Sequence, residues 1–387
     1  MTTTTTDYDV IVLGVGAMGS SACYHLAKRG QRVLGLEQFG PAHCRGSSHG
    51  KTRMVRKAYF EHPDYVPLLR RSYELWDELG ASVGRPLFHR SGVVIFGPET
   101  KTNADDVNVL DGVQASAKKH NLPLEVLSRD ACHARFPYFH VPEGYIGLFE
   151  ADAGYVEVEA SVAAHIEQAR KLGADLRFDE AVLAWDVTSA NTVSVRTASG
   201  TYKAAKLVVT TGAWSSSVLR SASLDLKVHR VPLFWFAPAP TDNGRALAAT
   251  PNMPCFAIDL PCGFVYGFPY VDGDGVKIAP HLPGAVLDDP SALHPGVLPG
   301  ELDAVAECVS TCFPGLLPAP TTSATCMYTM SRDGHFIIDT HPAHPNVVFA
   351  AGFSGHGYKF APVIGEILSD LAMHGSTDHP IGFLRRR

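Results

Sequence analysis

The sequence has little of what marks a nucleic-acid-binding or membrane protein. It has no block of basic residues apart from the arginines at positions 385–387, and its formal net charge is −6, so we expect no nucleic-acid partner. No apolar run is long enough to span a bilayer. The threonine run at positions 2–6 lacks the basic region and the apolar core of a signal peptide. We therefore expect a soluble, cytoplasmic protein with no membrane partner and a disordered tail over residues 1–6.

The cysteines lack the spacing of a metal site. None of the eight belongs to a C-x-x-C pair, and Cys308 and Cys312 have no histidine pair at zinc-ligand spacing. We therefore expect no metal and reduced thiols at every position except Cys326, which needs separate treatment. From its chemistry alone Cys326 is also an ordinary thiol, since most cysteines are small buried hydrophobic residues.

The N-terminal segment does have a recognisable pattern, that of a βαβ unit. An apolar run over residues 9–13 precedes Gly14, Gly16 and Gly19, and a helical pattern follows up to residue 29. A second apolar run ends at Glu37. In a G-x-G-x-x-G motif the glycines permit a tight turn, the approach of a pyrophosphate and close helix–strand packing, and the acidic residue accepts hydrogen bonds from a ribose. The motif predicts a dinucleotide and leaves NAD and FAD both open.

A second strand-to-glycine turn lies near the C-terminus. The apolar residues 346–351 run into a glycine-rich turn over residues 352–357, and a helix follows from near Pro362. Such a turn presents backbone N–H groups and the positive end of a helix to an electron-rich group. Two such turns, one at each end of the chain, predict a single large cofactor that both of them hold.

The two kinds of pattern alternate along the chain. Residues 7–87, 151–220 and 321–387 have cofactor-domain patterning, whereas residues 88–150 and 221–320 have short alternating runs or are rich in proline, glycine and aromatic residues. A chain of 387 residues is too long for one simple core. We therefore predict an α/β protein with a discontinuous Rossmann-type cofactor domain and a discontinuous substrate domain.

Six motifs occur in a fixed order between about residues 8 and 383. They are Gly16-Ala17-Met18-Gly19, Ser48-His49-Gly50-Lys51-Thr52-Arg53, Arg56-Lys57-Ala58-Tyr59, Cys326-Met327-Tyr328, Phe336-Ile337-Ile338-Asp339 and Gly352-Phe353-Ser354-Gly355-His356-Gly357-Tyr358-Lys359-Phe360. Together they resemble the monomeric sarcosine oxidase family, which includes N-methyltryptophan oxidase and the peroxisomal sarcosine/pipecolate oxidases. Any one motif alone would be weak, but six in register are specific.

The resemblance implies a cofactor and a fold. It implies an FAD domain of the glutathione-reductase type and a substrate domain with a large, mostly antiparallel sheet and flanking helices. It also implies that FAD is attached covalently through its 8α-methyl group to Cys326. The residues that it assigns to cofactor binding are Gly14, Gly16, Gly19, Glu37, Arg45, Ser48, His49, Thr52, Val182, Gly212, Trp214, Cys326, Gly355, Gly357 and Lys359.

The resemblance also implies a set of substrate residues. Arg53 and Lys359 resemble the pair that grips the substrate carboxylate, for which two cations are well suited. Lys277, alone in an apolar strand, resembles the family's oxygen-activating lysine, although the pattern by itself also fits an outward-facing lysine. The remaining pocket residues are Tyr266, His281, Tyr328 and His356. The sequence Ala279-Pro280-His281 departs from the more usual Gly-Tyr-His, which puts the shape of the pocket in doubt.

The function that follows is the oxidation of a secondary amino acid such as sarcosine. We expect an imine that is hydrolysed to amine and aldehyde, with O₂ reduced to hydrogen peroxide by a monomeric enzyme. L-Pipecolate, L-proline and N-methyltryptophan are alternative substrates within the family. A nicotinamide-dependent dehydrogenase and a non-catalytic flavin-binding subunit are the alternatives outside it.

Overall fold

The computed structural model describes residues 7–100, 109–189, 192–249, 253–271 and 273–386, so the expected tail over residues 1–6 lies outside the described residues. The strands are β1 (Tyr8–Leu13), β2 (Val33–Leu36), β3 (Thr52–Val55), β4 (Phe88–His89), β5 (Val93–Pro98), β6 (Glu125–Leu127), β7 (Tyr145–Glu150), β8 (Gly154–Glu157), β9 (Asp175–Arg177), β10 (Val182–Ser189), β11 (Thr192–Thr197), β12 (Thr201–Val209), β13 (Leu226–Phe236), β14 (Cys255–Leu260), β15 (Gly263–Phe268), β16 (Val276–Pro280), β17 (Val286–Leu287), β18 (Thr322–Ser331), β19 (Ile337–His341) and β20 (His344–Ala351). The α-helices are α1 (Ala17–Lys28), α2 (Val66–Ser82), α3 (Val109–His120), α4 (Arg129–Arg135), α5 (Val158–Lys171), α6 (Ser215–Val218), α7 (Asp242–Ala249), α8 (Asp303–Cys312) and α9 (Ala361–His374).

The first sheet contains the predicted βαβ unit. Its strands run in the order β10-β11-β12-β1-β2-β9, with β20 paired to β12 and β19 to β20. The pairs β1–β2, β1–β12 and β12–β20 are parallel. Strand β1 is buried on both faces, since Val10 and Val12 pack into one apolar cluster and Ile11 and Leu13 into another. The glycine turn after β1 therefore lies at the carboxyl edge of a parallel sheet, where ligands of such sheets bind.

The second sheet is large and mostly antiparallel. Its order is β17-β13-β16-β15-β14-β5-β7-β6, and β14–β5 is a parallel pair. Helix α8 packs against β15 and β16, and α4 packs against β7. A small third sheet, β3-β8-β4, joins three strands from the N-terminal half of the chain. The predicted α/β class, with a Rossmann-type unit and a second large sheet, is confirmed.

One boundary of the predicted domains differs from the hydrogen bonding. We expected residues 321–387 to belong to the cofactor domain, but β18 pairs with β13 over its whole length, from Thr322 opposite Trp235 to Ser331 opposite Leu226. The second sheet therefore carries Cys326. The reason is that an alternating strand pattern shows which face of a strand is buried but not which sheet it joins.

Within the described ranges, no helix combines the length and the apolar character that crossing a bilayer requires.

Candidate active site

A long cleft runs between the first glycine turn and strand β18. It holds about 1590 Å³ of empty space, including the space at its open mouth. Its walls come from both sheets: Gly14, Gly16 and Glu37 on one side, and Cys326 and Met327 on the other. Further predicted cofactor residues that line it are Ser48, Val182, Gly212, Trp214, Gly355 and Gly357.

The first glycine turn leaves no room for a side chain at Gly14 or Gly19. Gly14 has φ +82°, and a Cβ there would lie 2.7 Å from the carbonyl oxygen of Thr210. A Cβ on Gly19 would lie 1.8 Å from the oxygen of Gly14, because the start of α1 packs directly on the turn. The carboxylate of Glu37 accepts from the backbone N–H of Val15 at 2.9 Å. Glu37 thus braces the turn and also lines the cleft.

The C-terminal turn forms part of the opposite wall. Gly352 and Gly355 have φ values of +64° and +80°, and Ser354 shares this left-handed conformation at φ +48°. A Cβ on Gly355 would lie 2.5 Å from the ring of Tyr328. A Cβ on Gly357 would lie 2.5 Å from the ring of Phe353. A side chain at Gly355 or Gly357 would therefore collide with these rings, so both positions require glycine.

Cys326 lies in a cationic environment. Its side chain is 2% exposed, and Nη2 of Arg53 lies 3.4 Å from its Sγ. Burial raises the pKa of the thiol, but the nearby His49 side chain and the charge of Arg53 oppose burial and bring the pKa down to about 7. This lowered pKa favours the thiolate, which is the nucleophilic form of cysteine.

Five of the predicted cofactor residues do not line the cleft in the part of the chain that the structure describes. They are Lys359, Gly19, His49, Arg45 and Thr52. Gly19 packs against the glycine turn. His49 is buried, and its Nε2 has no hydrogen-bond partner among the described residues. Arg45 is exposed and lies 5.0 Å from the ring centre of Phe39, whereas Thr52 is buried in β3.

A second, smaller cavity adjoins the first. It holds about 550 Å³ of empty space and shares Arg53, Gly355 and Tyr358 with the cofactor cleft. Much of its wall is apolar, since it includes Met54, Phe60, Ile95, Ala257 and Phe264. Its polar residues include Arg56, Glu61, Tyr266, His281, His356 and Lys359. A concave, mostly apolar wall with a few convergent polar groups is typical of a small-molecule site.

The charges of this cavity favour an anion. Arg56 binds both carboxylate oxygens of Glu61, at 3.0 and 2.7 Å. Burial would raise the pKa of Glu61, but the charges of Arg56 and Lys359 and the hydrogen bonds from Arg56 together outweigh burial and lower that pKa to about 2. Lys359 donates to the carbonyl of His356 at 2.8 Å, and burial lowers its pKa to about 7. Together with Arg53 there are three cations to one carboxylate, so the cavity suits a negatively charged group.

The two cavity histidines are neutral at pH 7. Burial lowers the pKa of His356 to about 3 and that of His281 to about 4. Nε2 of His356 donates to the carbonyl of Gly334 at 2.9 Å, so Nδ1 accepts from the hydroxyl of Tyr59 at 2.6 Å. Nδ1 of His281 lies 3.2 Å from the hydroxyl of Tyr328. These histidines therefore act as hydrogen-bonding groups rather than as charges.

Lys277 lies behind the cleft wall. It is absent from the described residues that line the two cavities. Its ammonium donates to the carbonyls of Gly50 and Thr52, at 2.7 and 2.9 Å, and is 2% exposed. Burial and the charge of Arg53 lower the pKa of Lys277 well below its usual value. The structure thus brings Lys277 beside Arg53.

Sequence reasoning missed Arg56, Glu61 and Tyr59 as site residues. Arg56 follows Arg53 by three residues and belongs to the quoted motif Arg56-Lys57-Ala58-Tyr59, so the signal was present. Arg53 was the only arginine named, together with Lys359, for the substrate carboxylate, and the structure places it next to Cys326, between the two cavities. Arg56 faces the second cavity without lining the cofactor cleft.

These residues fit FAD. The close-packed glycine turn is suited to a pyrophosphate, Glu37 to a ribose and the activated Cys326 to a flavin ring. The unpartnered Nε2 of His49 leaves a buried polar atom available close to Cys326. Among the described residues no group of His, Cys, Asp and Glu could hold a metal ion.

Comparison with known proteins agrees with this chemistry. The model of the FAD dependent oxidoreductase family matches residues 9–371. The chain is 43% identical to monomeric sarcosine oxidase from Streptomyces avermitilis, over 98% of this chain and 97% of that protein. It is 36% identical to N-methyl-L-tryptophan oxidase from Salmonella dublin, over 95% of each chain.

A solved structure extends the likeness to three dimensions. The open form of NikD, an unusual amino acid oxidase essential for nikkomycin biosynthesis, superposes with a TM-score of 0.85 at 27% identity. The superposition covers 99% of this chain and 98% of the NikD chain. The chain therefore belongs to the FAD-dependent oxidoreductase family, in the group that contains the monomeric sarcosine oxidases and the N-methyl-L-tryptophan oxidases. Of the two cofactors that the glycine motif left open, FAD is the one that this family uses.

Proposed function

We propose that the protein oxidises a secondary amino acid, with sarcosine as the leading candidate. The observation that carries this proposal is a cation-rich cavity that adjoins the cofactor cleft beside Cys326. FAD, when bound, would accept a hydride from the carbon next to the substrate nitrogen and pass two electrons to O₂, giving hydrogen peroxide. The resulting imine would be hydrolysed to amine and aldehyde. For sarcosine the products are glycine and formaldehyde.

The carboxylate of the substrate would bind to Lys359 and an arginine. Lys359 donates two of its hydrogens to His356 and Tyr59, at 2.8 and 3.5 Å, which leaves one for the cavity. Arg53 was the expected partner, but its position beside Cys326 also makes it a neighbour of the flavin site. We therefore assign binding of the substrate carboxylate to Lys359. Arg53 and Arg56 both lie in the cavity wall and supply the guanidinium groups.

The amine end would meet neutral groups. His281, His356, Tyr266 and Tyr328 carry no charge at pH 7, since burial raises the pKa of both tyrosines and lowers that of both histidines. A neutral amine has the lone pair that hydride loss requires, and an uncharged wall does not disfavour it. The apolar residues Phe60 and Phe264 would exclude water from the reacting carbon.

Cys326 and Lys277 would serve the cofactor. We assign Cys326 as the point of covalent attachment, on the support of its lowered pKa and its contact with Arg53. We assign Lys277 to the reaction with O₂, because a buried ammonium beside Arg53 would stabilise negative charge that develops on oxygen.

We also propose that the enzyme is a monomer, as its relatives' names suggest, and cytoplasmic, since all eight cysteines are free.

The decisive experiment measures peroxide from purified protein with sarcosine, L-pipecolate, L-proline and N-methyl-L-tryptophan. We expect sarcosine to give the highest kcat/KM. Acid-precipitated protein should stay yellow, and a Cys326→Ser variant should release all of its flavin into the supernatant. Absence of peroxide with all four substrates would refute the proposed activity. Free flavin from the unaltered protein would refute the covalent bond alone.

A further inference from the structure

The loop over residues 50–52 lies between two opposite charges. On one side, the carboxylate of Glu159 accepts from the backbone N–H groups of Gly50, at 2.7 Å, and Lys51, at 3.0 Å. On the other side, the ammonium of Lys277 donates to the carbonyls of Gly50 and Thr52. Glu159 belongs to α5 beneath the first sheet, whereas Lys277 belongs to β16 of the second sheet.

One peptide group connects the two charges. In the Gly50–Lys51 peptide, the N–H of Lys51 points to Glu159 and the C=O of Gly50 points to Lys277. Its dipole therefore has its positive end at the carboxylate and its negative end at the ammonium. Both charges favour the same orientation, so each one stabilises the other through the peptide.

The backbone of the loop is built for this arrangement. Gly50 and Lys51 have φ values of +89° and +69°, so two successive residues are left-handed and their N–H groups converge on one side. Convergent N–H groups of this kind form an anion-binding concavity, which Glu159 fills. The carbonyl of Lys51 accepts from the N–H of Val158 at 2.8 Å, which docks the loop on the start of α5. A positive φ at a lysine is strained, and the surrounding contacts compensate for that strain.

We propose that Glu159 is a positioning residue for Lys277. Its carboxylate orients the Gly50–Lys51 peptide and thereby holds the ammonium in place and in its charged form. This inference rests on the proposed role of Lys277 in the reaction with O₂. Glu159 would then affect the oxidative half-reaction without contacting substrate, flavin or oxygen.

Two further facts support the proposal. The charges and thiols that face Lys277 are Arg53, Cys326, Glu159 and Cys255; Arg53 opposes its charged form, and the other three favour it. Burial raises the pKa of Cys255 to about 12, so that thiol is neutral. If Cys326 is bonded covalently to flavin, it can no longer carry a thiolate charge. Glu159 is then the remaining negatively charged group of this set that favours the charged form of Lys277.

The test uses the flavin-containing protein and a Glu159→Gln variant, whose amide oxygen can still accept from Gly50. Flavin reduced by light is mixed with O₂, and flavin reduction by sarcosine is measured separately without oxygen. We expect reoxidation to slow about fivefold and reduction to stay within about twofold. The matched control is Glu167→Gln, an exposed carboxylate on the same helix, which should change neither rate.

Variants at Lys277 decide how the result is interpreted. In a Lys277→Met background, Glu159→Gln should slow reoxidation no further, and its effect on the melting temperature should be smaller than in the unaltered protein. Equal slowing of both half-reactions, or additive effects on reoxidation and melting temperature, would overturn the inference. If the Lys277→Met variant reoxidises at the normal rate, the proposed role of Lys277 in the reaction with O₂ is wrong. The link between Glu159 and Lys277 is then tested by comparing the effect of Glu159→Gln on the melting temperature with and without Lys277→Met.

Discussion

The two cavities differ in whether backbone or side chains form their walls. The cofactor cleft is shaped by backbone, since a hypothetical Cβ at Gly14, Gly19 or Gly355 would lie only 1.8–2.7 Å from its nearest neighbouring atom. The adjoining cavity is shaped by side chains, and its charged and polar groups have strongly shifted pKa values. Backbone N–H groups recognise a cofactor that many proteins share, whereas side chains can be changed for each substrate. Substitutions that add bulk should therefore impair cofactor binding in the cleft. Substitutions that remove a charge should impair substrate binding in the second cavity.

The largest effect is expected for Gly14→Ala in the cofactor cleft. The new Cβ would overlap the carbonyl of Thr210, and the residue would keep an unfavourable positive φ. We expect nearly complete loss of bound flavin, measured as the ratio of visible to ultraviolet absorbance. Gly30→Ala is the matched control, because Gly30 has φ +77° but open space around its Cβ position. If both variants lose flavin alike, backbone strain rather than close approach explains the glycine.

A large and selective effect is expected for Lys277→Met. Removing the ammonium should slow reoxidation by O₂ about 100-fold or more, because it removes the charge that we propose acts on the reacting oxygen. Anaerobic reduction by substrate should change little. Lys227→Met, on an exposed position of β13, is the control. Equal slowing of the two half-reactions would remove the proposed role of Lys277.

A smaller effect is expected for Lys359→Met in the second cavity. Loss of a charge-assisted hydrogen bond to the carboxylate should raise KM about 10- to 100-fold. For a secondary amine without a carboxylate, KM should stay the same. Arg56 is less suitable for this test, because its removal would leave the buried carboxylate of Glu61 unpaired and destabilise the fold by about 3–5 kcal/mol. An unchanged KM for sarcosine would contradict carboxylate binding by Lys359.

The smallest effect is a pH dependence of the same cavity. Because burial lowers the pKa of Lys359 to about 7, its positive charge is present below that pH and is lost above it. Binding of propionate, a carboxylate without an amine, should therefore weaken as the pH rises through about 7, by at most about tenfold per pH unit. Flavin absorbance changes report the dissociation constant. In Lys359→Met the pH dependence should disappear, and its persistence would assign the titration to another group.

Local sequence patterns are sufficient to predict the first glycine turn of the cofactor cleft. The spacing of Gly14, Gly16 and Gly19 between two apolar strands is a local property, and the structure places that turn at the carboxyl edge of a parallel sheet. The second cavity was predicted less completely. Glu61 was overlooked because a charged pair five residues apart has no local signature, whereas Arg56 stood in a quoted motif and was not singled out. Lys277 was ambiguous because its strand pattern allowed either face.

The sequence by itself determined the dinucleotide turn, the α/β class and, through six ordered motifs, the family. Tertiary structure alone decided that β18 joins the second sheet, because hydrogen bonding between strands distant in sequence leaves no mark on local pattern. It also decided the chemistry of Cys326. A thiol is inert or reactive according to the charges around it, and Arg53 and His49 approach Cys326 from a segment more than 270 residues away.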